Sequence, residues 1–166
     1  RYTYFASAAK KEGYEQIAAL FLETADNEKE HAKLFFKLLK GGEVEITASY
    51  PAGVIGDTAA NLKAAAEGEN VEWTSLYQSF ADVAKQEGFM EISETFSRVA
   101  KVEQFHEARY LALLKNVKEG KVFKKAASVK WHCQNCGYVF EGKEVPDLCP
   151  VCNHPRAYFE VLAENY

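Results

Sequence analysis

Two long stretches of the chain repeat core-type residues at alternating steps of four and three. The first stretch comprises Ile17, Phe21, Thr24, Glu28, His31, Phe35 and Leu38, and the second comprises Ile92, Phe96, Val99, Glu103, His106, Tyr110 and Leu113. This spacing predicts two amphipathic helices, each with one continuous buried seam. In the middle of both seams, a Glu-x-x-His pair replaces the expected Leu or Phe.

Glycines and a predicted N-cap divide the segment 1–120 into four helices. Residues 1–12 are expected to end a helix at Gly13, and residues 14–40 to form a second helix that ends before Gly41. A third helix is expected from an N-cap at Asp57 or Thr58 to residue 87, and a fourth over 89–119. Residues 43–55 have no helical period and predict an extended crossover. This order predicts a four-helix bundle built from two helical hairpins.

The two hairpins are copies of each other, related by one constant offset along the chain. Phe5-Ala6 matches Phe80-Ala81, Glu12-Gly13 matches Glu87-Gly88, and the Glu28/His31 pair falls on Glu103/His106. The duplication predicts a pseudo-twofold axis with the two Glu-x-x-His pairs facing each other. The chain begins at Arg1 without a Met, and we expect the first helix to carry a matching carboxylate four to seven residues before Arg1.

The third helix adds two carboxylates, Glu69 and Glu72, on a predicted inner stripe that includes Leu62, Ala65, Leu76 and Phe80. A buried carboxylate is costly without a cation, and neither seam contains Lys or Arg. Six side chains therefore predict a di-metal site of iron or manganese: Glu28, His31, Glu69, Glu72, Glu103 and His106. Tyr2 and Tyr77, which the same offset relates, either hydrogen-bond to these carboxylates or are ordinary core tyrosines. Glu30 and Glu107 lie off the seams and are expected to be solvated.

The four cysteines form a second candidate metal site near the C-terminus. Two C-x-x-C loops, Cys133/Cys136 and Cys149/Cys152, are separated by twelve residues, a spacing typical of four thiolates around one iron or zinc ion. About 40 residues cannot build a stable core alone, so the metal is expected to hold this segment folded. Five aromatic residues are expected to pack around it: Trp131, Tyr138, Phe140, Tyr158 and Phe159.

Composition excludes several classes of protein. The net charge of −4 argues against a nucleic-acid binder, and no apolar run reaches the length of a membrane span. Because no cysteine precedes Cys133, a disulfide-stapled secreted domain is excluded and a reducing, cytoplasmic location is expected.

Together these motifs resemble a known family. The pattern Cys133-x-x-Cys136-Gly-Tyr and Cys149-Pro-x-Cys152 is similar to that of rubredoxins, and the bundle resembles the ferritin-like di-iron proteins. Joined in this order, nearly the whole chain resembles the rubrerythrin family. The resemblance implies a mainly α fold, with a ferritin-like bundle over 1–120, a linker over 121–129 and a rubredoxin-like domain with short β-strands over 130–166. The family's first-helix glutamate is absent here, and Asn153 stands where stand-alone rubredoxins usually have Gly.

The resemblance also implies a reaction and its partners. A non-haem di-iron peroxidase would reduce hydrogen peroxide to water in defence against oxidative stress, with electrons from the rubredoxin-type iron. Glu28 and Glu103 would bridge two irons, Glu69 and His106 would bind one of them, and Glu72 and His31 would exchange as ligands of the other. An external donor, such as a rubredoxin or its NAD(P)H-dependent reductase, and a head-to-tail homodimer are implied. The long crossover leaves domain swapping between the hairpins open.

Two alternatives remain open from the sequence. The bundle alone would suit a ferroxidase or iron-handling protein of the ferritin kind, although such a protein needs no dedicated electron carrier. A zinc-ribbon interaction module on a helical scaffold would suit the four cysteines. Manganese or a mixed metal pair in the bundle, and zinc in the cysteine site, are likewise open.

Overall fold

In a computed structural model, which describes residues 1–165, the bundle contains four helices, as predicted. The helical segments are α1 (Tyr2–Lys11), α2 (Glu15–Leu38), α3 (Thr58–Val71), α4 (Tyr77–Gln86) and α5 (Met90–Lys118). A π-helical turn over Glu72–Leu76 joins α3 to α4, so that these two segments form one continuous helix. The mainly helical fold class is therefore confirmed.

The bundle consists of two hairpins, as the duplication predicts. Helix α1 packs along α2, whereas α3 and α4 pack along α5. The turn of each hairpin contains a glycine in the left-handed region, with φ of +83° at Gly13 and +85° at Gly88. Residues 43–55 contain no helix or strand, and the Asp57 side chain caps α3 by accepting a hydrogen bond from the Ala60 N–H at 2.7 Å. The predicted crossover and N-cap are both confirmed.

The two predicted seams face the interior of the bundle. In α2 the seam residues Ile17, Phe21 and Thr24 are fully buried. In α5 the seam residues Val99 and Tyr110 are buried as well. No residue of either seam is classed as exposed. The alternation of four and three thus identified the buried faces of both long helices.

The predicted inner stripe of the third helix is wrong after Glu72. Leu76 and Phe80 are 39% and 42% exposed, while the next residues, Tyr77 and Ala81, are buried. In the π-helical turn the Tyr77 N–H donates to the carbonyl of Glu72, which inserts one extra residue into the turn. The buried face therefore moves forward by one position.

The C-terminal segment forms a three-stranded antiparallel sheet in the order β2-β1-β3, with β1 over Lys124–Cys133, β2 over Val139–Glu144 and β3 over Phe159–Val161. Trp131 is fully buried, and its indole N–H donates to the carbonyl of Gly142 at 2.9 Å. All five predicted aromatic residues pack in the same cluster as Cys133 and Cys149. Strand β1 begins inside the predicted linker 121–129, and the predicted domain boundaries stay a prediction.

The cysteine domain packs against the first turn of α2. The rings of Tyr14 and Phe123 stack at 5.9 Å between centroids with an interplanar angle of 5°, and the Arg156 guanidinium lies 5.3 Å from the Phe123 centroid. This contact places the domain at the end of the bundle where α2 begins. Within residues 1–165, no helix is long and apolar enough to cross a membrane.

Candidate metal centres

The two Glu-x-x-His pairs meet at the centre of the bundle. Glu28 contacts both imidazoles, with Oε2 at 3.3 Å from His31 Nδ1 and Oε1 at 3.3 Å from His106 Nδ1. Glu103 repeats this arrangement, with Oε1 at 3.0 Å from His31 Nδ1 and Oε2 at 2.9 Å from His106 Nδ1. Each carboxylate thus presents one oxygen to each imidazole, an arrangement suited to a carboxylate that bridges two ions.

Glu69 joins the centre on the side of His106. It is fully buried, and its Oε2 lies 3.6 Å from His106 Nδ1. Its other oxygen accepts a short hydrogen bond from the Tyr2 hydroxyl. One ligand atom from each of Glu28, Glu69, Glu103 and His106 lies within 4.8 Å of the other three.

The buried oxygen and nitrogen atoms of this centre are better placed to bind a cation than to form hydrogen bonds with one another. Five buried atoms of this centre have no hydrogen-bond partner among the described residues: Glu28 Oε1, Glu69 Oε2, Glu103 Oε1, Glu103 Oε2 and His106 Nδ1. Their mutual distances allow ion pairing, but their lone pairs are not aligned for hydrogen bonds. An unsatisfied buried carboxylate costs several kcal/mol, so carboxylate and imidazole donors around one point are consistent with the binding of divalent metal ions.

The proton affinities of the side chains show how strongly their charges interact without metal. Burial would raise the pKa of Glu28, but contacts with His106 and His31 lower it to about 2. Contacts with Glu103 and Glu28 raise the pKa of His31 to about 9. For His106, burial acts downwards, but Glu103, Glu28 and Glu69 raise its pKa to about 11. The carboxylates of the centre therefore favour positive charge at the two imidazoles.

Glu72 lies apart from this cluster. Its side chain forms no hydrogen bond or ion pair within residues 1–165, and it lines a groove of about 540 Å³ together with Tyr2, Glu28 and Tyr50. Burial, followed by repulsion from Glu69, raises the pKa of Glu72 to about 8. Of the six predicted ligands, five are therefore linked through contacts with Glu28, Glu103 or His106, and Glu72 faces the groove beside them. Their roles as ligands stay a prediction.

The two predicted tyrosines differ in their contacts. Tyr2 donates to Glu69, and burial, followed by the charge of Glu69, raises its pKa far above the ordinary value. Tyr77 is buried against the rings of Phe35 and Phe96, at 5.6 Å and 6.1 Å, and its hydroxyl has no hydrogen bond in the described part of the chain. Tyr2 therefore has the hydrogen bond to a carboxylate, and Tyr77 has the contacts of a core tyrosine, the two alternatives that the sequence left open.

Two residues that contact the metal centre or the turn beside it, Glu107 and Asn27, were not predicted from the sequence. Glu107 was expected to be solvated, but it is half-buried and accepts hydrogen bonds from Trp73 Nε1 at 2.5 Å and from Asn70 Nδ2 at 3.0 Å. These bonds tie α5 to the end of α3, through Asn70, and to the π-helical turn that carries Glu72, through Trp73. Asn27 lies 3.2 Å from Nε2 of His106. Neither Glu107 nor Asn27 lies on a seam, so the periodicity gave no signal for them.

The four cysteine thiols converge in the C-terminal domain. The Sγ atoms of Cys133 and Cys152 are 3.8 Å apart, those of Cys136 and Cys149 are 3.7 Å apart, and no disulfide joins the four. The two C-x-x-C loops have the same backbone pattern: the Gly137 N–H donates to Cys133 and the Asn153 N–H to Cys149, both at 2.9 Å. Asn153 adopts the left-handed conformation with φ of +57°, so it replaces glycine without changing the turn. A backbone hydrogen bond from His154 lowers the pKa of Cys152, whereas, against a backbone hydrogen bond from Tyr138, burial and contacts with the other three thiols raise the pKa of Cys136.

Comparison with known proteins covers both parts of the chain. The family model described as rubrerythrin matches residues 1–114, and the model described as the rubredoxin-like domain of rubrerythrin matches residues 131–160. The chain is 61% identical to a rubrerythrin of Porphyromonas gingivalis and 53% identical to one of Nitratidesulfovibrio vulgaris. Both matches cover 100% of this chain, and they cover 83% and 87% of those proteins.

A solved structure supports the same relationship. The fully reduced, all-ferrous state of nigerythrin superposes with a TM-score of 0.62 at 32% identity, over 97% of this chain and 77% of that one. The predicted family and ferritin-like fold are thereby confirmed, and the family indicates an oxidoreductase. The carboxylate expected before Arg1 concerns residues outside the printed sequence and stays a prediction. The chain belongs to the rubrerythrin family and carries the family's rubredoxin-like domain at its C-terminal end.

Proposed function

We propose that this protein is a non-haem di-iron peroxidase that reduces hydrogen peroxide to water. The observation that carries the proposal is the pairing, in one chain, of a carboxylate-imidazole centre with a four-thiolate centre. Reduction of one peroxide consumes two electrons and two protons and yields two waters. When bound, two irons in the bundle would supply the two electrons, and a rubredoxin-type iron would replace them one at a time.

Iron is the metal that we propose for both sites. The related nigerythrin binds iron, since its reduced state is all ferrous. Glu28, Glu69, Glu103, His31 and His106 offer mixed oxygen and nitrogen donors, which suit iron or manganese, and four thiolates accept iron or zinc. Visible absorption separates the alternatives, because iron held by four thiolates is coloured and zinc is colourless.

The groove beside Glu72 is the proposed entry for peroxide. It is lined by Tyr2, Glu28 and Glu72, so a small molecule that entered it would meet two carboxyl groups and a phenol. The raised pKa of Tyr2 keeps the phenol protonated, and its O–H holds Glu69 in place. Glu72 lines the groove and would place its carboxyl group close to the entering oxygen atoms.

The position of the cysteine domain supports a homodimer. The domain packs at Tyr14, and Glu28 lies 14 residues further along α2, which corresponds to about 21 Å of helix. We propose that a head-to-tail partner brings its own cysteine domain closer to the carboxylate centre than this intrachain span allows. We propose this arrangement for electron delivery, with an external donor such as a rubredoxin or its NAD(P)H-dependent reductase.

We also propose a cytoplasmic location for the protein. For the domains, we propose a bundle over 1–120, a linker over 121–129 and a cysteine domain over 130–166.

The test of the reaction is stopped-flow mixing of the fully reduced, iron-loaded protein with peroxide or with air-saturated buffer. We expect peroxide to restore the visible absorption of the oxidised cysteine site much faster than dioxygen does. Fast oxidation by dioxygen together with inertness to peroxide would overturn the proposal in favour of a ferroxidase. Protein that is isolated from iron-rich medium, contains only zinc in the cysteine site and does not react would favour the interaction module.

Mixed dimers test the proposed path of the electrons. One chain carries Cys149→Ser, which removes a thiolate, and the other carries Glu103→Gln, which removes a central carboxylate. Neither homodimer should turn over peroxide, but the mixed dimer should recover activity if electrons cross between subunits. Activity absent from the mixed dimer would contradict delivery between subunits, while the stopped-flow result for the unmodified protein would stand.

A further inference from the structure

Asn27 distinguishes the two halves of the duplicated bundle. It directly precedes Glu28 on α2, and its counterpart in the repeat is Val102, which directly precedes Glu103 on α5. One half therefore has an amide where the other has an aliphatic side chain. The flanking Glu and His residues are the same in both halves, so this position breaks the symmetry next to the metal centre.

The Asn27 amide spans from α2 to α5 and contacts the imidazole of His106. Its Oδ1 lies 3.2 Å from His106 Nε2. A carbonyl oxygen can only accept, so Nε2 carries the proton and donates it. In the neutral ring this leaves the lone pair on Nδ1, the nitrogen that lies 2.9 Å from Glu103 Oε2 and 3.3 Å from Glu28 Oε1.

His31 has no equivalent support. Its Nδ1 faces Glu28 and Glu103, at 3.3 Å and 3.0 Å, and its Nε2 forms no hydrogen bond within the described chain. Val102, which stands where Asn27 stands in the other half, has no acceptor to offer. Metal-bound imidazoles almost always donate their second N–H to an acceptor, and this contact fixes both the tautomer and the orientation of the ring.

We propose that Asn27 is a positioning residue that fixes the tautomer and the orientation of the His106 imidazole, a support that the His31 imidazole lacks within the described residues. The inference rests on the proposed metal site of the bundle but not on the reduction of peroxide. The two histidines therefore differ in one hydrogen bond, which Asn27 forms with His106 and which Val102, its counterpart in the repeat, cannot form with His31.

Three substitutions isolate this bond. Asn27→Val copies the Val102 side of the bundle, Val102→Asn places an amide beside His31, and Asn27→Asp keeps an acceptor at position 27. Asn27 is only half-buried, so its replacement should leave the bundle folded, which far-UV circular dichroism verifies. The first readout is the affinity for Co²⁺, titrated into apoprotein whose cysteine site has been filled with zinc. The second is the ring ¹⁵N spectrum of the zinc-loaded protein, in which His31→Gln and His106→Gln variants assign the signals.

We expect Asn27→Val to weaken one Co²⁺-binding step about 10- to 100-fold and to abolish the slowly exchanging Nε2–H signal of His106. Asn27→Asp should restore both, and Val102→Asn should give His31 a protected Nε2–H signal of its own. Unchanged Co²⁺ affinities and an unchanged His106 signal in Asn27→Val would overturn the inference, as would an equal loss at both histidines. Wild-type protein that binds no Co²⁺ in the bundle would instead refute the metal site, and an inactive peroxidase would leave these outcomes unaffected.

Discussion

Replacement of Glu72 by Gln tests whether this carboxyl is a proton-binding group in the metal-free bundle. Burial, followed by the charges of Glu69, Glu28 and Glu103, raises its pKa from 4.5 to about 8. Between pH 4.5 and 8 the folded chain therefore binds more protons at this group than the unfolded chain does. The free energy of unfolding must fall as the pH rises through this window, and the contribution of Glu72 is constant outside it.

The size of the effect follows from the difference between the two pKa values. At 1.36 kcal/mol per pH unit, the change from 4.5 to about 8 corresponds to about 5 kcal/mol. Water at the groove and relaxation of the side chain reduce this value, because Glu72 is only partly buried. We expect Glu72→Gln, which cannot ionise, to stabilise the metal-free protein by roughly 2–5 kcal/mol at pH 8 and by little at pH 4.5.

The assay is urea unfolding, followed by far-UV circular dichroism, of protein whose bundle metal has been removed with a chelator. Measurements at steps between pH 4.5 and 8 give the difference between variant and wild type. Contributions of His31 and His106 cancel in this difference if their environments do not change. Glu67→Gln is the matched control, since Glu67 lies on the same helix with its side chain 67% exposed. A Glu72→Gln profile that runs parallel to that of wild type would refute the reasoning.

Other predictions concern single contacts. Trp73→Phe keeps a ring but removes the donor to Glu107, and it should lower the free energy of unfolding by about 1–3 kcal/mol in urea titrations; no change would mean that the bond does not stabilise the π-helical turn. Cys149→Ser should remove the metal of the C-terminal domain and the near-ultraviolet signal of buried Trp131 while the bundle keeps its metal, and metal analysis with circular dichroism checks both. Tyr2→Phe should leave the metal content unchanged but slow peroxide-driven oxidation at least about tenfold in stopped-flow experiments, because Glu69 loses the hydrogen bond that the phenol donates; an unchanged rate would contradict this role.

The sequence predicted most of the bundle because burial in a helix follows a simple period. Phe21, Val99 and Tyr110 were placed in the core by spacing alone, and the structure buries all three. The error at Leu76 and Phe80 has a different origin. The π-helical turn contains neither Gly nor Pro, and it is tied to α5 through the bond between Trp73 and Glu107, a contact between helices that no local pattern encodes.

The candidate metal site was predictable as far as its residues lie on the buried faces of the helices. Glu28, Glu69, Glu103 and His106 lie on buried faces, so correct helical faces were enough to bring them together. Asn27 and Glu107 lie off those faces. Their partners depend on how α2, α3 and α5 are rotated against one another, and that rotation is set by packing throughout the bundle.

The departures from symmetry divide the metal centre into a fixed side and a free side. On the fixed side, Tyr2 holds Glu69 and Asn27 holds His106 through hydrogen bonds. On the free side, the counterparts Tyr77 and His31 lack these bonds within residues 1–165, and Glu72 stands beside the groove without a partner. A duplicated sequence would otherwise give two equivalent positions. Both bonds run from the first hairpin to the second, so the first hairpin orients two candidate ligands of the second, Glu69 and His106, and within residues 1–165 no such bond runs back from Tyr77 or Val102.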